Sequence, residues 1–144
     1  MDIANKDGET PINKASQYGN LTIVEALLKA GANMDIANKY GETPILCAFD
    51  KGHDKVVETL LKAGAKLDES RMNLFSASEK GHTGIVSSLL KAGAKLDSVD
   101  NDGNTALMLA AVNGHFELVK QFIKSGANVD IKNNNNKTAL MLIS

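Results

Sequence analysis

A chain of 144 residues, 43% of them hydrophobic, is long enough to bury one apolar core. With 16 basic and 17 acidic side chains dispersed along it and a formal net charge of -1, it has no clustered cationic surface, which argues against nucleic acid as a partner. The single cysteine, Cys47, excludes an intrachain disulfide and fits a reducing, cytoplasmic setting. No apolar run approaches the roughly 20 residues needed to cross a bilayer, and the polar stretch 1–10 does not read as a secretory signal, so no membrane role is expected.

The first patterned segment, residues 10–31, reads TPINKASQYGNLTIVEALLKAG, and residues 43–64 repeat it as TPILCAFDKGHDKVVETLLKAG. Residues 105–126 give TALMLAAVNGHFELVKQFIKSG. Thr10 and Thr43 stand 33 residues apart, and Thr138 opens a further copy 33 residues beyond Thr105. A period of this size marks a stacked repeat, in which one unit cannot bury its apolar face until a neighbour covers it. In the second copy, Thr43 followed by Pro44 suits a helix start. The threonine oxygen can accept from an orphan amide, and proline lacks only an amide that would go unpaired. Ile45, Cys47, Ala48 and Phe49 form an apolar stripe that ends at Gly52. A second helix from about Asp54 carries Val56, Val57, Leu60 and Leu61 before Gly64 stops it. An Asp- and Gly-containing link, such as residues 35–42 with its turn signal Tyr40-Gly41, leads to the next threonine. The predicted architecture is all-α: one domain over residues 1–144, built of helix-turn-helix units joined by β-hairpin-like turn fingers.

The first unit, residues 2–34, reads as an end cap. Lys14 and Ser16 stand where the second unit, residues 35–67, has Cys47 and Phe49, which predicts a first-helix face turned to water. Its second helix keeps Leu21, Ile23, Val24, Leu27 and Leu28 as a buried set. In the third unit, residues 68–96, Met72 is the equivalent of Thr43, and four finger residues are missing, the turn glycine among them. Helices are expected over 72–80 and 83–91. The trimmed finger reads either as drift in a surface loop or as a notch that admits a protruding element of a partner. The fourth unit, residues 97–129, is the most regular. The fifth, residues 130–144, has Asn136 in the place of Gly103, a position where positive φ is expected, within an Asn133 to Asn136 run that reads as a solvated turn. It breaks off at Ser144 inside its first helix. The apolar residues Leu140 to Ile143 there read either as the mark of a fragment or as a surface that meets another chain; apart from that association, a monomer is expected.

These features closely resemble the ankyrin repeat family, whose 33-residue unit opens on Thr-Pro-Leu-His, carries Gly-His between its helices and ends on Leu-Leu-Lys-X-Gly-Ala. The match includes Thr10-Pro11, Thr43-Pro44, Gly52-His53, Gly81-His82, Gly114-His115, residues 27–32, 60–65 and 89–94, and it runs over essentially the whole chain. One position departs: the family's histidine after Thr-Pro-Leu is Asn13, Leu46, Met108 and Met141 here.

Residues that could carry chemistry have simpler readings. His53, His82 and His115 occupy one place in successive units, and stacked repeats hold such atoms roughly 10 Å apart, far beyond the about 2 Å of a zinc–nitrogen bond. They read as turn residues. Cys47 falls on an apolar helix face as a small buried hydrophobe, and its neighbours supply no activating base. No nucleophile–base–acid set or phosphate cradle is present, so no catalysis, cofactor or metal is expected.

Surface remains. The resemblance implies that partners dock on the fingers and the exposed side of each first helix. Carried over by position, that face holds Lys6, Asp7, Glu9, Gln17 and Tyr18, then Lys39, Tyr40, Glu42, Asp50 and Lys51. Arg71, Glu79 and Lys80 follow from the third unit, and Asn101, Asp102, Asn104, Val112 and Asn113 from the fourth. The only two tyrosines fall on it. They read either as binding anchors, since tyrosine buries much area with few rotors to freeze, or as shields for neighbouring backbone. The expected function is a non-catalytic scaffold for another protein; the alternative is a structural spacer or targeting module within a larger protein.

Overall fold

The computed structural model describes residues 2–143, so the reading of an end at Ser144 lies outside them. The chain divides into two compact units, Met1–Met72 and Asn73–Ser144. The first holds α1 (Pro11–Gln17), α2 (Leu21–Lys29), α3 (Pro44–Lys51) and α4 (Asp54–Lys62). The second holds α5 (Leu74–Lys80), α6 (Thr83–Lys91), α7 (Ala106–Val112), α8 (Phe116–Lys124) and α9 (Ala139–Leu142). Within the first unit α1 packs on α2 and α3, and α4 on α3 and α2; within the second α5 packs on α6 and α7, and α7 on α8 and α9. This is the all-α stacked-pair architecture. Among the described residues the fingers are turns, with a single isolated bridge between Val99 and Thr105.

The helix starts follow from their caps. Thr10, Thr105 and Thr138 each accept from the backbone amide three residues on, at 3.4, 3.2 and 3.4 Å. Thr43 makes no such bond, and Pro44 opens α3 with its fixed φ instead. In the first unit Ile45, Phe49, Val56 and Leu60 are at most 1% exposed. Ile85, Leu118 and Phe122 fill the equivalent core of the second. Full burial of one such side chain contributes about 1.5–3 kcal/mol.

Three expectations need correction. Helix α5 does not begin at Met72. Methionine has no oxygen with which to cap, whereas Asn73 accepts from the Ser76 amide at 2.9 Å while its own amide donates to Ser76 Oγ at 3.1 Å. Met72 is instead wholly buried. Part of the third unit's shortening therefore falls at the helix entry.

Ser16, expected on a wet cap face, is 0% exposed. It lies one helical turn from buried Ile12, on the packed side of α1, and the same register position is buried as Phe49, Ser78 and Ala111. Lys14 is half-buried against Glu9. The apolar residue that does face water is Ile23, at 47% exposure. Its equivalents Val56, Ile85 and Leu118 are buried, but the main packing of α2 is on α1 and α4, and Ile23 remains exposed beside them. Of the remaining set Val24 is fully buried and Leu21, Leu27 and Leu28 are half-buried.

The buried Ser16 Oγ has no hydrogen-bond partner, so it was desolvated without compensation. Ser16→Ala removes that penalty with little change of shape, and urea unfolding should show a gain of about 1 kcal/mol. A loss of stability in that measurement would mean that the hydroxyl is paired in solution.

Candidate functional site

Each full finger is built around one Asx side chain. Asn5, Asn38, Asp100 and Asn133 accept through their side-chain oxygens from the amides two and four residues on, at 2.9–3.0 Å. Their own amides close the loop on the carbonyls of Glu9, Glu42, Asn104 and Lys137. Residues at the tips are thus held on short, internally bonded loops. Asn136 takes the expected positive φ, 63°.

In the first unit, adjacent fingers are joined by the Lys39 amide donating to the Asp7 carbonyl at 2.9 Å. Lys39 Nζ then lies 2.7 Å from Asp7 Oδ1 and 5.1 Å from the centre of the Tyr40 ring. A parallel arrangement stands on α1, where Lys14 Nζ is 3.3 Å from Glu9 Oε1 and 5.7 Å from the Tyr18 ring. The Glu9 and Asp7 carboxylates push the respective lysines above the ordinary lysine value, with Tyr18 and Tyr40 acting in the same direction. Each tyrosine remains open to solvent, Tyr18 at 70% and Tyr40 at 63%.

The other candidates fall into two groups. Asp50, Lys51 and Arg71 in the first unit, and Lys80, Asn101 and Asp102 in the second, are exposed. Glu42 and Asn104 are instead engaged in the scaffold. The Glu42 carboxylate accepts from Asn38 Nδ2 at 3.1 Å, and its carbonyl accepts from Asn13 Nδ2 at 3.2 Å. Asn104 Oδ1 accepts from Asn133 Nδ2 at 2.9 Å. Asn113 caps α7 and donates to the Leu109 carbonyl at 2.8 Å. Asn134, absent from the predicted set, ties the fingers of the second unit by donating from its amide to the Asp102 carbonyl and from Nδ2 to the Asn101 carbonyl.

The histidines do more than turn the chain. His53 is the N-cap residue of α4, and its Nε2 donates to the Gln17 carbonyl at 3.0 Å; His115, the N-cap residue of α8, donates likewise to the Glu79 carbonyl at 2.8 Å. Since a carbonyl only accepts, the proton sits on Nε2 in both. The recurrence of Gly-His at the same place in successive units was visible in sequence, but a bond spanning two repeats needs the stack to be seen.

Cys47 is buried. Burial and the Glu42 carboxylate push its thiol up to about 11, with a hydrogen bond from Asn13 opposing, so it stays a protonated, packed side chain at neutral pH.

Paired helices stacked through capped turns define a helical repeat protein. A family model for ankyrin repeats (3 copies) matches residues 1–71 and 74–144, and the chain belongs to the ankyrin repeat family. Ankyrin repeats generally act as protein–protein interaction modules and are typically non-catalytic. No curated protein matches the chain. Among the described residues no helix is long and apolar enough to cross a membrane.

Proposed function

We propose that the chain is a non-catalytic scaffold that binds another protein through its fingers and first helices, with Tyr18 and Tyr40 of the first unit as anchors. The observation that carries this reading is the paired carboxylate–lysine–tyrosine arrangement. Each ring is largely exposed, yet each is flanked by a lysine whose ammonium group is held by a carboxylate of the same unit. Such positions lose little freedom on binding, which is where affinity is otherwise lost. The balance of lysines and carboxylates around the rings favours a protein surface of mixed charge over a polyanion. In the first unit Asp50, Lys51 and Arg71 add exposed charges to such a face, and Glu42 holds its finger in shape; taken by itself, the second unit offers Lys80, Asn101 and Asp102, with Asn104 and Asn113 in the structural role.

Tyr18→Ala plus Tyr40→Ala should reduce capture of partner proteins from cell extract by about tenfold or more, since anchor residues of this type carry most of the binding energy. Both side chains are exposed, so the melting temperature should hardly move. Lys55→Ala plus Lys62→Ala, exposed on α4 and paired with Glu58 of the same helix, serves as the control. Capture that survives the tyrosine changes in full would sink the assignment of this face.

A further inference from the structure

The second helices of the two units share a register but not a charge pattern. In the first unit Glu25 of α2 and Glu58 of α4 each stand one helical turn before a lysine, Lys29 and Lys62, and Glu58 reaches Lys62 at 3.3 Å. Together these two helices carry three basic and three acidic side chains. In the second unit the carboxylate position is Ser87 in α6 and Lys120 in α8. No acid therefore stands one turn before Lys91 or Lys124, and α6 and α8 together carry three lysines against one acid, Glu117. The negative end of the helix dipole accounts for Lys91 and Lys124 themselves, but not for the loss of both carboxylates.

The change falls on a groove. A cleft of about 810 Å³ on the side of these helices is lined by Thr83, Glu117, Lys120, Gln121 and Lys124. Gln121 Nε2 donates to Ser87 Oγ and so ties α8 to α6. Lys91, Lys120 and Lys124 are all exposed, and Lys120 Nζ lies 3.3 Å from the exposed Glu117 Oε1. Lys91 and Lys124, 33 residues apart in sequence, end neighbouring helices, so stacking gathers onto one face charges that are scattered along the chain. Both walls are helices of this unit, and the groove is complete without any further repeat.

We infer that this groove docks an acidic segment of another protein, whose carboxylates pair with Lys120, Lys124 and, at the end of α6, Lys91. Charge complementarity identifies the occupant: a single exposed lysine holds a carboxylate weakly, and a groove that presents several to one ligand adds their effects. A protein segment fits better than a nucleic acid, because Glu117 lies among the lysines and repels a continuous line of phosphates, whereas carboxylates can be spaced around it. The inference concerns α6 and α8 alone and stands apart from the tyrosine face of the first unit.

The test is a chemical-shift titration of the isotope-labelled full chain with a synthetic peptide of alternating glutamate and serine. The amides of Thr83, Lys120, Gln121 and Lys124 should shift saturably, and the affinity should fall as salt is raised. The matching peptide with glutamine in place of glutamate should not bind. Lys120→Glu, which puts a carboxylate where the first unit has Glu58, should weaken binding by about tenfold or more. Lys55→Glu, the same change of net charge on exposed α4 of the first unit, should alter it by less than about twofold. Absence of saturable shifts at these amides, binding by the glutamine peptide, or equal weakening by Lys55→Glu would overturn the inference. Tighter binding of oligothymidylate than of the acidic peptide at the same amides would also overturn it, since the face would then be a nucleic-acid site.

Discussion

Gly81→Ala should cost about 3 kcal/mol, and most of that cost should disappear when His115 is removed as well. Two effects add at this position. Gly81 has φ 76°, where a residue with a Cβ is strained by about 1 kcal/mol or more. The new methyl would also sit 2.7 Å from His115 Nδ1 and 2.8 Å from Cε1, so the ring must leave its place and give up its bond to the Glu79 carbonyl. That displacement adds about 1–3 kcal/mol, because the half-buried imidazole gives up both its packing and its bond to the exposed Glu79 carbonyl. Gly114→Ala provides the comparison inside the same unit. It has the same φ with open space around it, and should cost only the strain, about 1 kcal/mol. In a His115→Ala background the clash term is gone, so Gly81→Ala should fall to the Gly114→Ala value. Urea unfolding of the four variants completes a double-mutant cycle, and a coupling energy near zero would show that the ring is not seated on Gly81 in solution.

Both members of this pair could be read from the sequence, but not their relation. The period, the helix stops and the class of fold follow from local rules, since a capping threonine, a terminating glycine and apolar spacings of three and four act within a few residues. What resisted was whatever depends on the neighbouring repeat. Ser16 looked like a cap residue because it is polar, yet burial at that place in α1 is set by packing and tolerates a serine as it does Phe49 or Ala111. Ile23 looked buried because it repeats Val56, yet a position's burial in a stack depends on what stands on its open side. Met72 looked like a helix start because it stands in the place of Thr43, whereas the cap went to the next residue with a side-chain oxygen. The candidate face was legible in part. Tyr18, Lys39 and Tyr40 stand out in solvent as expected, while Glu42 and Asn104 could be recognised as structural only once Asn38, Asn13 and Asn133 were seen bonded to them.

Asn13→Ala is expected to be as damaging as Gly81→Ala, at about 3 kcal/mol, although asparagine is where this chain departs from the histidine its family resemblance implies. Asn13 is 0% exposed and carries several bonds at once. Its Oδ1 accepts from the Thr10 amide at 3.1 Å and from Thr10 Oγ1, and its Nδ2 donates to the Glu42 carbonyl of the next finger at 3.2 Å. Truncation leaves the Thr10 amide without its partner in a buried site and opens a gap where the amide group had packed, and each consequence costs about 1–3 kcal/mol. The equivalent Leu46 and Met108 show what else the position accepts: both are buried and neither bonds, so a side chain of the right volume satisfies the packing but not the polar groups. Asn13→Leu should therefore recover part of the loss and Asn13→Ala none of it. The difference should also appear at a distance, because the Glu42 carbonyl closes the finger that carries Tyr40. Hydrogen exchange at the Asn38 and Tyr40 amides should speed up in both variants, since neither restores the bond to Glu42. If Asn13→Leu left those amides as slow as in the parent, the cross-repeat bond would not be what holds the second finger in place.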